Sequence, residues 1–143
     1  SVRIAVLGRP GSGKSSLVNM MLGENILGPM PGIDIVEVAF GPAPRAHLEW
    51  PNGNTRKVNG LMIDPDISEG AFRVRFELPD ETLRNQTFCE ISQPADPDRQ
   101  AQLFQHALET GQVFVWCSER FDESEQEIWQ QAPDAIKDHS FLA

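Results

Sequence analysis

The sequence predicts an α/β fold: a doubly wound, mostly parallel sheet flanked by helices, with an antiparallel hairpin inserted at one edge. Three observations predict it. Apolar strand-like runs alternate with amphipathic stretches along the chain. The first of these runs passes through a glycine-rich turn straight into a helical pattern. Asn52-Gly53, set between two short alternating segments, is a hairpin signal.

The elements follow in order. Val2 to Leu7 is short, apolar and rich in β-branched residues, as a buried parallel strand is. Leu17, Val18, Met21 and Leu22 then recur as the apolar stripe of a helix. Residues 23–32 form a Gly/Pro-rich loop, and Ile35 to Phe40 reads as a strand. Ala46 to Trp50 and Thr55 to Val58 are the arms of the hairpin, which leaves His47 a solvated edge residue. Residues 59–70 read as a surface excursion. Phe72 to Leu78 alternates as a strand with one wet face, and Thr87 to Ile91 reads as a buried strand broken only by Glu90. Asp96 or Asp98 caps a helix over Asp98 to Thr110, with Ala101, Phe104 and Leu108 facing inward. Val113 to Cys117 is another buried strand. Phe121 to Ala132 is a helix whose acidic first turns, Asp122, Glu123, Glu125 and Glu127, suit a solvated, dipole-compensated start. Ser140 to Ala143 opens a further strand.

With 143 residues the chain has the length of one domain, enough to bury roughly two-thirds of its unfolded surface. Hydrophobic residues make up 40% and charged residues 23%, ordinary values for a globular chain. No segment reaches the about 18–20 apolar residues of a membrane span, and the N-terminus lacks a signal-peptide layout. The first strand begins almost at residue 1, so upstream trimming is expected. A net charge of −9 argues against broad nucleic-acid binding, which needs a basic surface. Cys89 and Cys117 fall on strands expected to flank the first one. Two strand spacings of about 4.8 Å exceed a disulfide's reach, so both thiols should be free and buried, as suits a reducing cytoplasm.

The sharpest signal is Gly8-Arg9-Pro10-Gly11-Ser12-Gly13-Lys14-Ser15, which satisfies the phosphate-binding pattern G-x-x-x-x-G-K-[ST] in the required strand–turn–helix setting. A helix N-terminus presents unpaired N–H groups and partial positive charge, so it attracts phosphate. Gly8, Gly11 and Gly13 let the backbone curl so that successive N–H groups converge on a phosphate, with Ser12 among the expected phosphate-binding residues. Lys14 neutralises phosphate charge, Ser15 offers a hydroxyl to Mg²⁺, and Ser16 can bond a further phosphate oxygen. The motif does not fix the base, and an ATP-dependent enzyme remains an alternative to a guanine-nucleotide binder.

Ile4 to Gly8, Gly13 to Asn19 and Leu22 to Leu27 together resemble the opening of dynamin-like GTPase domains, bacterial ones especially. Phe40 to Ala46, the Trp50-Pro51-Asn52-Gly53 hairpin, Glu77-Leu78-Pro79 with Leu83-Arg84, and Val113 to Trp129 resemble the corresponding later segments. The resemblance implies a P-loop NTPase G domain over residues 1–143, C-terminally incomplete. It also implies GTP or GDP as ligand, Mg²⁺ as cofactor and possible self-association through the nucleotide face. A cytoplasmic place follows, with membrane contact only through regions outside the chain.

Several family positions differ. No Thr or Ser lies between Ser16 and Thr55, and Pro31-Gly32 stands where the resemblance implies a Mg²⁺-binding switch threonine. The family's Asp-Thr-Pro-Gly aligns with Ser92-Gln93-Pro94-Ala95, leaving Ser92 as a second metal candidate beside Ser15. Pro10-Gly11 replaces the water-positioning Gln-Ser of dynamin proper. The guanine-reading motif belongs after the strand that begins near Ala143. Glu90 shares a strand face with Ser92, so it and Arg9 are the candidate catalytic groups, with Asp34 a further unusual ligand. An exposed, structurally idle Arg9 is the plainer reading. Mg²⁺ sites normally use one or two carboxylates, so the losses imply weak metal binding and slow or absent hydrolysis.

Overall fold

The computed structural model describes residues 2–9, 11–28, 30, 32–94, 96–118, 123–138 and 140–142, with only the backbone at 124, 138 and 140–142. Its elements are β1 (Val2–Gly8), α1 (Lys14–Leu22), β2 (Ile35–Phe40), β3 (Arg45–Glu49), β4 (Thr55–Asn59) and α2 (Pro65–Ser68). Then come β5 (Arg73–Leu78), a 3-10 turn (Glu81–Arg84), β6 (Gln86–Ser92), α3 (Pro97–Thr110), β7 (Val113–Trp116), α4 (Glu123–Gln131), α5 (Asp134–Asp138) and β8 (Ser140–Leu142).

The strands form one sheet in the order β4-β3-β5-β2-β6-β1-β7-β8. β1 lies between β6 and β7, parallel to both, and β7 is parallel to β8. β3 and β4 form the expected hairpin at the far edge. The two cysteines are free and buried on either side of β1, as expected. One further feature was not legible in the sequence: β2 runs antiparallel to β6, with Ile35 opposite Ile91, while pairing parallel with β5. The chain leaves α1 at the bottom of the sheet and climbs back through residues 23–34 before β2 descends. That return brings the loop to the end of β1 where α1 begins, and so helps build the site.

β1 is buried on both faces. Ile4 and Val6 join α1's Val18 and Phe76, Phe88 and Val38 on one side; Ala5 and Leu7 join Leu103, Phe104, Trp116 and Ile136 on the other. Trp116 packs edge-on to Trp129, centroids 5.1 Å apart. α1 lies over β1 and β6, and so does α3 on the opposite face.

Four expectations need correction. α3 starts one residue early on its Asp96 cap, and it buries Gln100, Leu103, Phe104 and Ala107. That i, i+3, i+4, i+7 stripe turns Ala101 to solvent and leaves Leu108 half-buried. Residues 59–70 are not merely a surface excursion. Asp64 caps the short α2, and Leu61, Ile63 and Ile67 pack on the core while Met62 stays 91% exposed. In the last region a turn at Ala132–Pro133 separates α4 from α5. Phe121 and Asp122 lie outside the described residues. Glu125 is buried rather than solvated, because it accepts a hydrogen bond from Trp116 Nε1 at 3.2 Å. His47 is not an edge residue, because β3 is paired on both sides and β4 forms the edge; it is half-exposed and hydrogen-bonded to Glu77.

Candidate phosphate-binding site

β1 ends at Gly8 in the middle of the sheet, and the chain turns through Gly11 and Gly13 at φ +80° and +97°. These are left-handed conformations that glycine adopts without a Cβ penalty. Gly8 is required for a different reason, since a Cβ there would lie 2.7 Å from the Cys117 carbonyl oxygen. Gly13 is the N-cap of α1, with no side-chain hydrogen bond to the helix and no acidic residue in the first turn. By contrast, Asp64, Asp80 and Asp96 each accept a backbone N–H at the starts of α2, the 3-10 turn and α3. The N–H groups at the start of α1 are thus left open where an anion would satisfy them.

Lys14 is buried, and its ammonium donates to the carbonyls of Gly8 (3.1 Å) and Arg9 (2.8 Å). Burial lowers its pKa, while the Glu90 charge beside it acts the other way. Ser15 Oγ donates to Glu90 Oε1 at 2.9 Å. Glu90 is opposite Val6 in the β1–β6 register, and burial pushes its carboxyl above the usual range against the pull of Ser15 and Lys14. A cavity of about 480 Å³ opens here, lined among others by Gly11, Lys14, Ser15, Ser16, Glu90 and Ser92. Ser12 Oγ is buried without a partner in the same loop. A buried carboxylate beside a hydroxyl is a donor set that suits a hard cation such as Mg²⁺.

The site residues expected from the sequence therefore fall together, with two exceptions. Arg9 is not idle: its Nε lies 3.6 Å from buried Glu125, which ties the phosphate loop to α4. Asp34 accepts two hydrogen bonds from Arg99, at 3.0 and 2.6 Å, so it is engaged elsewhere. Pro10, Pro31 and Ala95 lie outside the described residues. Two positions escaped the sequence reading. Asn19 Oδ1 accepts the N–H groups of Ile26 and Leu27, and its amide donates to Leu27 O, anchoring the returning loop. Its signals were a polar residue inside an apolar helical run and its place in the segment that carries the family resemblance. Gln93 is buried with both side-chain polar atoms unpartnered, while its backbone N–H donates to Gly8 O.

No protein-family model matches the chain. GTPase Der of Dechloromonas aromatica (strain RCB) is 30% identical over 127 residues, covering 85% of this chain and 28% of that protein. Two solved chains come from an oligomerised bacterial dynamin pair described as providing a mechanism for long-range sensing and tethering of membranes. They match 99% and 95% of this chain with TM-scores of 0.64 and 0.60, at 21% and 20% identity. The chain spans about a quarter of the length of each of these proteins. The fold is that of a P-loop GTPase G domain. The resemblance to dynamin-like GTPases read from the sequence is matched by the fold of the bacterial dynamin pair.

Proposed function

We propose that residues 1–143 act as one G domain that binds GTP or GDP through Gly8, Gly11, Ser12, Gly13, Lys14, Ser15 and Ser16, and hydrolyses GTP slowly or not at all. The observation that carries this reading is the uncapped start of α1, wrapped by Gly11 and Gly13 and backed by Lys14. The likeness to GTPase Der supports guanine over adenine. Slow turnover rests on the residues themselves, since a neutral Ser92 occupies the aspartate's place and no switch Thr or Ser exists between positions 16 and 55. Mg²⁺, when bound, would be held by Ser15 with Glu90, Ser92 being the second candidate. It would neutralise phosphate charge. The domain works in the cytoplasm and self-associates through its nucleotide face. It takes no nucleic acid, and it meets membranes only through other regions of a longer protein. None of the described helices is long and apolar enough to cross one.

Calorimetry with GDP and GTP, with and without Mg²⁺, tests the reading, and ATP competition tests the base. Absence of affinity under all conditions overturns it. The Ser15–Glu90 contact favours one second reading, a working GTPase in which Glu90 replaces the missing aspartate. Phosphate release that climbs with protein concentration and vanishes in Lys14→Ala supports that version. A rate flat at background removes it.

A further inference from the structure

On the α1 side of the sheet, β2 and β5 are covered by residues 24–34 and 60–72, where the four-residue α2 is the one helix among the described residues. Loops pack less continuously than a helix, and a trough of about 1100 Å³ remains between them. It exceeds the roughly 300–1,000 Å³ of a small-molecule pocket. Met30, Ile33, Leu61, Ile63, Phe72 and Phe76 form its apolar lining. Met62, on its edge, is 91% exposed. An exposed methionine beside an apolar trough is a common feature of surfaces that accept varied partner side chains.

The charge at this trough has one sign. Asp64, Asp66 and Glu69 line it, all exposed, and no Lys or Arg does so among the described residues. An anionic membrane surface is repelled by such a rim. The geometry points to a docking groove for a cationic amphipathic peptide segment of a partner, apolar side chains on Leu61, Met62 and Ile63, Lys or Arg against Asp64, Asp66 and Glu69. Gly28, Met30 and Ile33 line both this trough and the phosphate cavity, whereas Asp64, Asp66 and Glu69 line the trough alone, so peptide binding measured without nucleotide tests the groove apart from the function proposed above.

The probe is a fluorescent 18-residue amphipathic Leu/Lys helix, titrated against the purified protein by anisotropy. A Leu/Glu helix of the same apolar pattern and a scrambled Leu/Lys peptide serve as comparisons. The Leu/Lys helix should bind best. The triple variant Asp64→Asn, Asp66→Asn, Glu69→Gln should weaken it about tenfold and flatten its salt dependence. Asn at position 64 keeps the α2 cap, so the fold is preserved. Met62→Ser should weaken binding about tenfold through lost apolar contact alone. Neutralising exposed Glu123 and Glu127 on α4 should change nothing. The proposal is overturned if the scrambled or Leu/Glu peptide binds as well. It is equally overturned if the α4 variant weakens binding as much as the groove variants, or if anionic vesicles sediment the protein and compete with the peptide.

Discussion

The Ser15 hydroxyl donates to the Glu90 carboxylate across 2.9 Å, joining the first turn of α1 to the middle of β6. A carboxylate therefore stands beside the phosphate-loop serine, although the aligned position at the strand end is Ser92. If Glu90 is the carboxylate that holds Mg²⁺, Glu90→Gln removes the anionic ligand while keeping the shape. The Mg²⁺-dependent part of nucleotide affinity should then fall on the order of 10–100-fold, with metal-free affinity kept. Titrations of GDP at several Mg²⁺ concentrations check this, and an unchanged Mg²⁺ increment would place the metal elsewhere.

The same buried carboxyl sets a pH dependence. Its folded-state pKa lies above the ordinary 4.5, mainly through burial. Between the two values the native state holds a proton that the unfolded chain has lost, so Glu90's contribution to stability falls as pH rises through that window. Glu90→Gln should raise the melting temperature at pH 7, and the gain should fade below pH 4.5. Thermal melts across pH 3.5–8 read it directly.

Lys14 runs the opposite way along the pH axis. Burial lowers its pKa from 10.5, so the native state resists a charge that the unfolded chain carries at neutral pH. Lys14→Met should stabilise the nucleotide-free protein at pH 7, an advantage lost as pH approaches 10.5. Nucleotide affinity should drop about 10–100-fold, the value of a charge-assisted hydrogen bond. Melting curves and calorimetry on the one variant measure both effects.

Glu37 is fully buried on β2 and is ion-paired with Arg73, with Arg75 and Arg3 at 3.4 and 3.9 Å. The three guanidinium groups remain about a third exposed and can rehydrate, so Glu37→Ala should cost about 1–3 kcal/mol, mostly lost packing and hydrogen bonding. Arg3→Ala should cost about 1 kcal/mol or less. Urea unfolding of both variants ranks them; an equal cost would show that Glu37 is not the centre of the cluster.

Most strands were legible because β-branched runs buried on both faces leave a continuous apolar pattern, as in β1 and β6. Boundaries shifted by a residue or two, which side-chain patterns do not resolve. Ala101 was misjudged because two helical stripes one residue apart look alike until Phe104 and Ala107 meet the sheet. Glu125 defeated composition altogether. An acid in a first helical turn suits solvent, yet Trp116 Nε1 and Arg9 draw this one inward. α2 lay hidden because Asp64-Pro65 reads equally well as a turn.

By itself the sequence determined the glycine-rich turn from β1 into α1, since strand, glycines, Lys14 and Ser15 are contiguous and their geometry is local. It is equally plain in the letters that no Thr or Ser lies between Ser16 and Thr55. Only the tertiary structure decided what surrounds the loop. Glu90 reaches Ser15 across 75 positions of sequence, Arg9 finds Glu125, and residues 23–34 return to the site because β2 runs against β6. Contacts of that kind depend on strand order and direction, which are properties of the whole sheet and not of any one segment.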